Sequence, residues 1–185
     1  MEPTGGSYEA TFEEFMSAQP LPLTDLLVNP KDGAMYITIG GRRVQSGLYR
    51  VTYTGEEDAA PAPAPAPVKT ESQLLREEIE LYHRPDENAV AAAWPHLDHE
   101  DRSIRYAART AIEHQPVSLW QEKALSAESP DTRIQASIAL ARLKVEGIQP
   151  ELISGLNELP LDQLSARQTQ DLLRAYALAF IRLGE

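Results

Sequence analysis

The sequence predicts an α+β protein, in which a short antiparallel β-meander is joined by an alanine–proline run to an α-solenoid of helical pairs. Three observations predict it. Apolar residues recur at every second position within Ala34 to Tyr53, alanine and proline alternate from Ala59 to Pro67, and a helical phrase then returns after 28 residues. The expected organisation is a meander over 1–58, a linker over 59–69 and helical repeats over 70–185.

In the first segment, Leu26-Leu-Val28 runs into Asn29-Pro-Lys-Asp-Gly33, a turn in which proline presets one dihedral and Gly33 supplies a positive φ. A strand is expected from Ala34 to Ile39, with Met35, Ile37 and Ile39 on one face and Tyr36 and Thr38 on the other. Gly40-Gly41 is expected to end it, a loop to run from Arg42 to Ser46, and a third strand to follow from Leu48 to Tyr53. The tyrosines alternate with the strand period and read as packing residues. Two or three strands expose most of their surface, so strands from outside this segment are expected to complete the sheet.

Ala-Pro repetition disfavours helix and strand and biases the chain toward an extended polyproline spacer of about 25 Å. A proline-rich ligand is the weaker reading, because the flanking Glu56-Glu-Asp58 lacks a basic anchor.

Past the linker, Leu74, Leu75, Ile79 and Tyr82 share one face of a helix over Ser72 to His83, which Arg84-Pro85 stops. A short alanine-rich helix is expected from Glu87 to Trp94. Ile104, Ala108, Ala111 and Ile112 then form a narrow stripe of the kind that lets helices approach closely. Arg105, Ala108, Ala111 and Ile112 map onto Arg133, Ala136, Ala139 and Leu140 at the constant spacing of 28. A weaker echo, Ala175 to Phe180, belongs to a helix opened by the capping pattern Ser165-Ala-Arg-Gln168 and followed by Gly184. Units that cannot bury their apolar faces alone must stack, which is the logic of a solenoid.

Two resemblances rest on these residues. Pro22-Leu-Thr-Asp-Leu-Leu-Val-Asn-Pro-Lys-Asp-Gly-Ala-Met-Tyr36, continued by Thr38 to Tyr53, resembles the last blade of β-propellers of the soluble quinoprotein glucose dehydrogenase type. It is most similar to large secreted bacterial proteins in which such a propeller precedes HEAT repeats. The helical phrases, with the Asp101 and Arg105 signature, resemble HEAT repeats themselves. The resemblance implies a non-catalytic C-terminal piece of a propeller-and-HEAT protein, periplasmic or secreted as part of its parent. That parent would oxidise a sugar or alcohol with a quinone or c-type haem, and the repeats would dock a protein partner. A stand-alone interaction protein with the meander as its cap is the alternative, and a quinone-dependent oxidoreductase a further one.

Composition narrows this. A charge of −11, with four basic against nine acidic residues up to Asp58 and thirteen against nineteen afterwards, disfavours nucleic acid. The absence of cysteine excludes disulfides, thiolate metal sites and covalent c-type haem within this sequence. No stretch approaches a membrane span, and Met1-Glu-Pro-Thr-Gly-Gly6 lacks the regions of a signal peptide.

No catalytic set is legible. Arg42, Arg43, Gln45 and Ser46, after two glycines, are the residues to cradle an anionic cofactor, though solvated arginines beside a bulge explain them as well. His96 and His99, with Asp98, Glu100 and Asp101 nearby, are the metal candidates, but Pro95 points to a turn, and His83 and His114 read as solvated or capping residues. Asp101, Arg105 and Arg133 are expected to cap turns and bridge repeats, and Trp94 and Trp120 to anchor the core.

Overall fold

The computed structural model describes residues 1–55 and 68–184, so the linker expected over 59–69 lies, up to Pro67, outside the described residues. The protein is mixed α+β, with two small antiparallel sheets and seven α-helices among the described residues. It divides into two compact units, Thr11–Ala66 and Met1–Ala10 together with Pro67–Glu185.

The unit Thr11–Ala66 holds a meander of β3 (Leu23–Val28), β4 (Met35–Gly41) and β5 (Val44–Val51). The turn before β4 forms as its residues dictate: Gly33 takes φ 66°, its N–H donates to the Asn29 carbonyl at 2.9 Å, and Asn29 Oδ1 accepts from Lys31 N–H. Ile37 and Ile39 occupy the buried face of β4. The predicted loop from Arg42 to Ser46 is shorter than expected. Gly41 still pairs with Val44, so only Arg42 and Arg43 turn, Arg43 with φ 67°, and Gln45 and Ser46 belong to β5. The register slips between Ile39 and Gly41, where glycine tolerates the irregularity. Every residue of β3 is exposed, Leu27 at 65 %.

In the other unit, the seven helices are α1 (Glu71–Glu80), α2 (Ala89–Ala93), α3 (Arg102–Glu113), α4 (Gln121–Leu125), α5 (Pro130–Arg142), α6 (Gln149–Asn157) and α7 (Ala166–Leu183). Their starts follow from capping chemistry. Thr70 with Gln73, and Ser165 with Gln168, form capping boxes; Asp101 caps α3; and Ser129 caps α5 ahead of Pro130. The odd-numbered helices pack in succession, α1 on α3, α3 on α5 and α5 on α7, while α2, α4 and α6 pack against them. The stripe Ile104, Ala108, Ala111 and Ile112 is wholly buried, as are Ile134, Ile138 and Leu140 of α5. Trp120 sits in this core, and Trp94 packs at its margin beneath the Lys123 ammonium, 4.5 Å from the ring centroid. Leu74, expected on the buried face of α1, is exposed instead, and Gln73 takes the buried position.

Met1–Ala10, expected within the meander of 1–58, groups with the helices instead. It forms a hairpin of β1 (Glu2–Thr4) and β2 (Ser7–Glu9) whose exposed backbone is claimed by helical side chains. Gly6 N–H donates to Asp101 Oδ2 at 2.7 Å, Gln73 Nε2 donates to the Ser7 carbonyl at 2.7 Å, and Arg76 Nη1 donates to the Gly6 carbonyl at 2.6 Å. Gly5 takes φ 53°, and a side chain there would collide with the Asp101 carboxylate.

Candidate functional site

On the helical unit, α3, α5 and α7 line a groove of about 520 Å³. Its construction follows from helix geometry. α3 contributes Arg102, Arg105, Tyr106 and Arg109, the i, i+3, i+4 and i+7 positions of one face, and α7 contributes Arg167, Gln170, Asp171 and Arg174 with the same spacing. Between these walls α5 supplies Gln135 and Ile138 as the floor, and Glu100 closes one end. Five guanidinium groups therefore face two carboxylates in a chain whose net charge is −11.

The groove is held open by a chain of polar contacts. Arg109 Nη1 donates to Gln135 Oε1 at 3.0 Å, and Gln135 Nε2 and Arg167 Nη1 both reach Asp171 Oδ2 at 3.4 Å. Arg167 also forks onto Asp131, its Nη1 2.7 Å from Oδ1 and its Nη2 2.9 Å from Oδ2. Burial works against the Asp131 carboxylate, yet the bonds from Arg167 and Gln168 outweigh it and hold its pKa below the ordinary value. The same bond to Asp131 raises that of Arg167.

Arg109 is the least comfortable member. It is 6 % exposed, and its Nε lies 3.2 Å from Glu113 Oε1 without the alignment of a hydrogen bond. Glu113 is shared with Arg142, whose Nε donates to both carboxylate oxygens. Burial lowers the Arg109 pKa; Glu113 offsets this, while the charges of Arg142 and Arg174 add to it. A guanidinium stays protonated under such pressure, so Arg109 remains a buried cation held by Glu113 and Gln135.

Of the residues singled out from sequence, Arg105 and Glu100 join this groove. Arg105 is 4 % exposed and does not pair with Asp101 four residues before it; its Nη1 donates to the carbonyls of His99 and Glu100 in the turn ahead of α3. Asp101 turns the other way, accepting from Ser103 and Ile104 N–H as the N-cap of α3. Arg133 donates to the Ala127 carbonyl, the Gly155 carbonyl and Glu158. Arg42, Arg43 and Gln45 are exposed on the β4–β5 hairpin. The rings of His96 and His99 lie 6.3 Å apart and tilted, and His99 Nδ1 accepts from Asp101 N–H. Among the described residues, no three His, Cys, Asp or Glu side chains are grouped to hold a metal ion, and no helix is long and apolar enough to cross a membrane. His83 and His114 stack at 5.8 Å, each with a ring nitrogen at a helix carbonyl. Sequence reasoning missed Arg102, Arg109, Arg167, Arg174 and Gln135; the signal available was the recurrence of arginine at helical spacing on two separate helices.

Compared with protein-family models, curated proteins and solved structures, the chain matches none.

Proposed function

We propose that the helical unit is a solenoid of HEAT-like pairs that docks a protein partner along the groove on α3, α5 and α7. The observation that carries this reading is the groove's position across three helices packed in succession. Such a surface presents side chains in parallel rows, which suits an elongated segment better than a compact substrate. The shared bonding of Arg105 and Arg133, each to the carbonyl six residues before it, supports treating α3 and α5 as equivalent positions of a repeat. No reaction is assigned to this chain.

The meander supports the second half of the reading, in which the chain is part of a propeller-and-HEAT protein of the periplasm or cell exterior. Leu23, Leu26, Leu27 and Val28 on β3, and Leu48 and Tyr49 on β5, are all about half exposed or more, and apolar strands of that kind call for neighbours. Oxidation of a sugar or alcohol would then belong to the parent, as would any quinone or haem.

A photo-crosslinking amino acid placed at Tyr106 or Gln170, and separately at Glu151 on α6 outside the groove, tests the docking surface. A discrete adduct formed in the native cell from the two groove positions and not from the third is the expected result. Equal labelling from all three, or none, overturns the reading.

A further inference from the structure

We propose that the groove is a carboxylate-reading channel whose occupant is an extended acidic peptide segment of a protein partner. This deepens the docking reading and rests on it. Arg102 and Arg109, and likewise Arg167 and Arg174, are seven residues apart on their helices, a separation of about 10 Å along each axis. The positive charge is thus spread along two facing walls. A single phosphate would engage one end of such an array. An extended strand, whose alternate side chains stand about 7 Å apart, places successive carboxylates along its whole length.

The composition of the lining selects the same chemistry. Every cation in it is arginine, whose planar fork matches a carboxylate in bidentate fashion, as Arg167 already does with Asp131. Arg102 and Arg174 are exposed and carry no ion pair among the described residues, so their forks are free to engage. Arg109, buried on the floor side, is paired with Glu113 at 3.2 Å and bonded to Gln135, so the free forks of the array are those of Arg102 and Arg174. Glu100 and Asp171 interrupt the array. Against so interrupted an array, carboxylates about 7 Å apart along one face of an extended peptide fit better than the closely spaced charges of a polyphosphate. Tyr106, 56 % exposed, leaves room for apolar contact between the acidic positions.

The test titrates fluorescein-labelled hexaglutamate into the full chain, with hexaglutamine and inorganic tripolyphosphate as comparisons. Hexaglutamate is expected to bind with an affinity that falls as ionic strength rises, hexaglutamine not to bind, and tripolyphosphate to compete poorly. Arg102→Glu and Arg174→Glu together should weaken hexaglutamate about tenfold or more, while Arg84→Glu, exposed and outside the groove, should leave it unchanged. Circular dichroism of each variant separates lost binding from lost fold; both substituted arginines are exposed. Equal affinity for the two peptides, tighter binding of tripolyphosphate, or indifference to the Arg102 and Arg174 reversals would each overturn the proposal. Position-specific crosslinks that persist alongside such a failure would leave the docking surface standing with a partner of different chemistry.

Discussion

Arg105 and Arg133 make the same bond 28 residues apart: each guanidinium donates to the carbonyl six residues before it, His99 at 2.6 Å and Ala127 at 2.7 Å. The bond folds the incoming turn back onto the first turn of α3 or α5 and satisfies carbonyls that would otherwise be stranded at a buried corner. Arg105 serves two such carbonyls and is the more deeply buried of the two.

From this, Arg105→Lys should lower unfolding free energy by about 1–3 kcal/mol, because an ammonium replaces a planar fork and loses the fixed geometry. Arg133→Lys should cost less, since one of its partners, Glu158, is exposed. Arg102→Lys, on the same helix but exposed, should stay within about 0.5 kcal/mol of the parent. Urea denaturation followed by circular dichroism ranks the three, and a reversed order would refute the account of the corner.

The Asp131–Arg167 pair predicts a pH dependence. Asp131 has a folded pKa below its unfolded value of about 3.9. Its contribution is therefore fully present above the unfolded pKa and disappears as pH falls through the folded one. Asp131→Asn should destabilise the protein near neutrality by about 1–3 kcal/mol, as expected for removing one partner of a mostly buried pair that is solvated on its arginine side. The parent and variant curves should converge in acid. A difference that stays constant with pH would mean the asparagine acts through packing and not through charge.

Much of this fold was legible, and the physical reason is locality. The period-two text of β4, the turn at Asn29 to Gly33 and the Ser165–Gln168 capping box are decided by residues a few positions apart, and the structure bears them out. The β1–β2 hairpin was not legible, because strands of three residues carry no period and this one is held by Gln73, Arg76 and Asp101 from far along the chain. The groove lay hidden for a related reason. Arginines at helical spacing on α3 and on α7 each read as a solvated face, and only the packing of both helices on α5 sets the two faces opposite each other. Arg105 shows the limit most sharply: spacing of four from Asp101 suggests a pair, but spacing does not reveal that the carboxylate belongs to a cap and the guanidinium to the preceding turn.

Asp101 links the cap of α3 to the hairpin, and the two roles are separable. Asp101→Ala removes the acceptor of Ser103 N–H and of Gly6 N–H and should cost about 1–2 kcal/mol of stability. Hydrogen exchange at the Gly6 amide should accelerate about tenfold or more, because opening the hairpin no longer breaks a charge-assisted bond. Asp101→Asn retains a capping oxygen and should restore most of the stability while recovering less of the protection at Gly6. If Gly6 exchanges at the parental rate in Asp101→Ala, the hairpin is held by Thr70, Gln73 and Arg76 without the carboxylate.

The meander of β3, β4 and β5 is predicted to be the weaker of the two units. Three strands can bury one face only if something covers it, and β3 contributes no buried residue to that task, whereas Ile37 and Ile39 of β4 are 2 % and 8 % exposed. Amides of β4 should therefore exchange through openings about 2–3 kcal/mol easier than those of α5, whose apolar positions are fully enclosed. Ile37→Ala should abolish what protection β4 has, since it removes a central buried side chain, while Leu27→Lys on the exposed strand should leave exchange unchanged and reduce self-association. The outcome that matters is the parental exchange rate of β4. Protection equal to that of α5 would make this sheet self-sufficient, and the exposed leucines of β3 would then no longer argue for missing neighbouring strands.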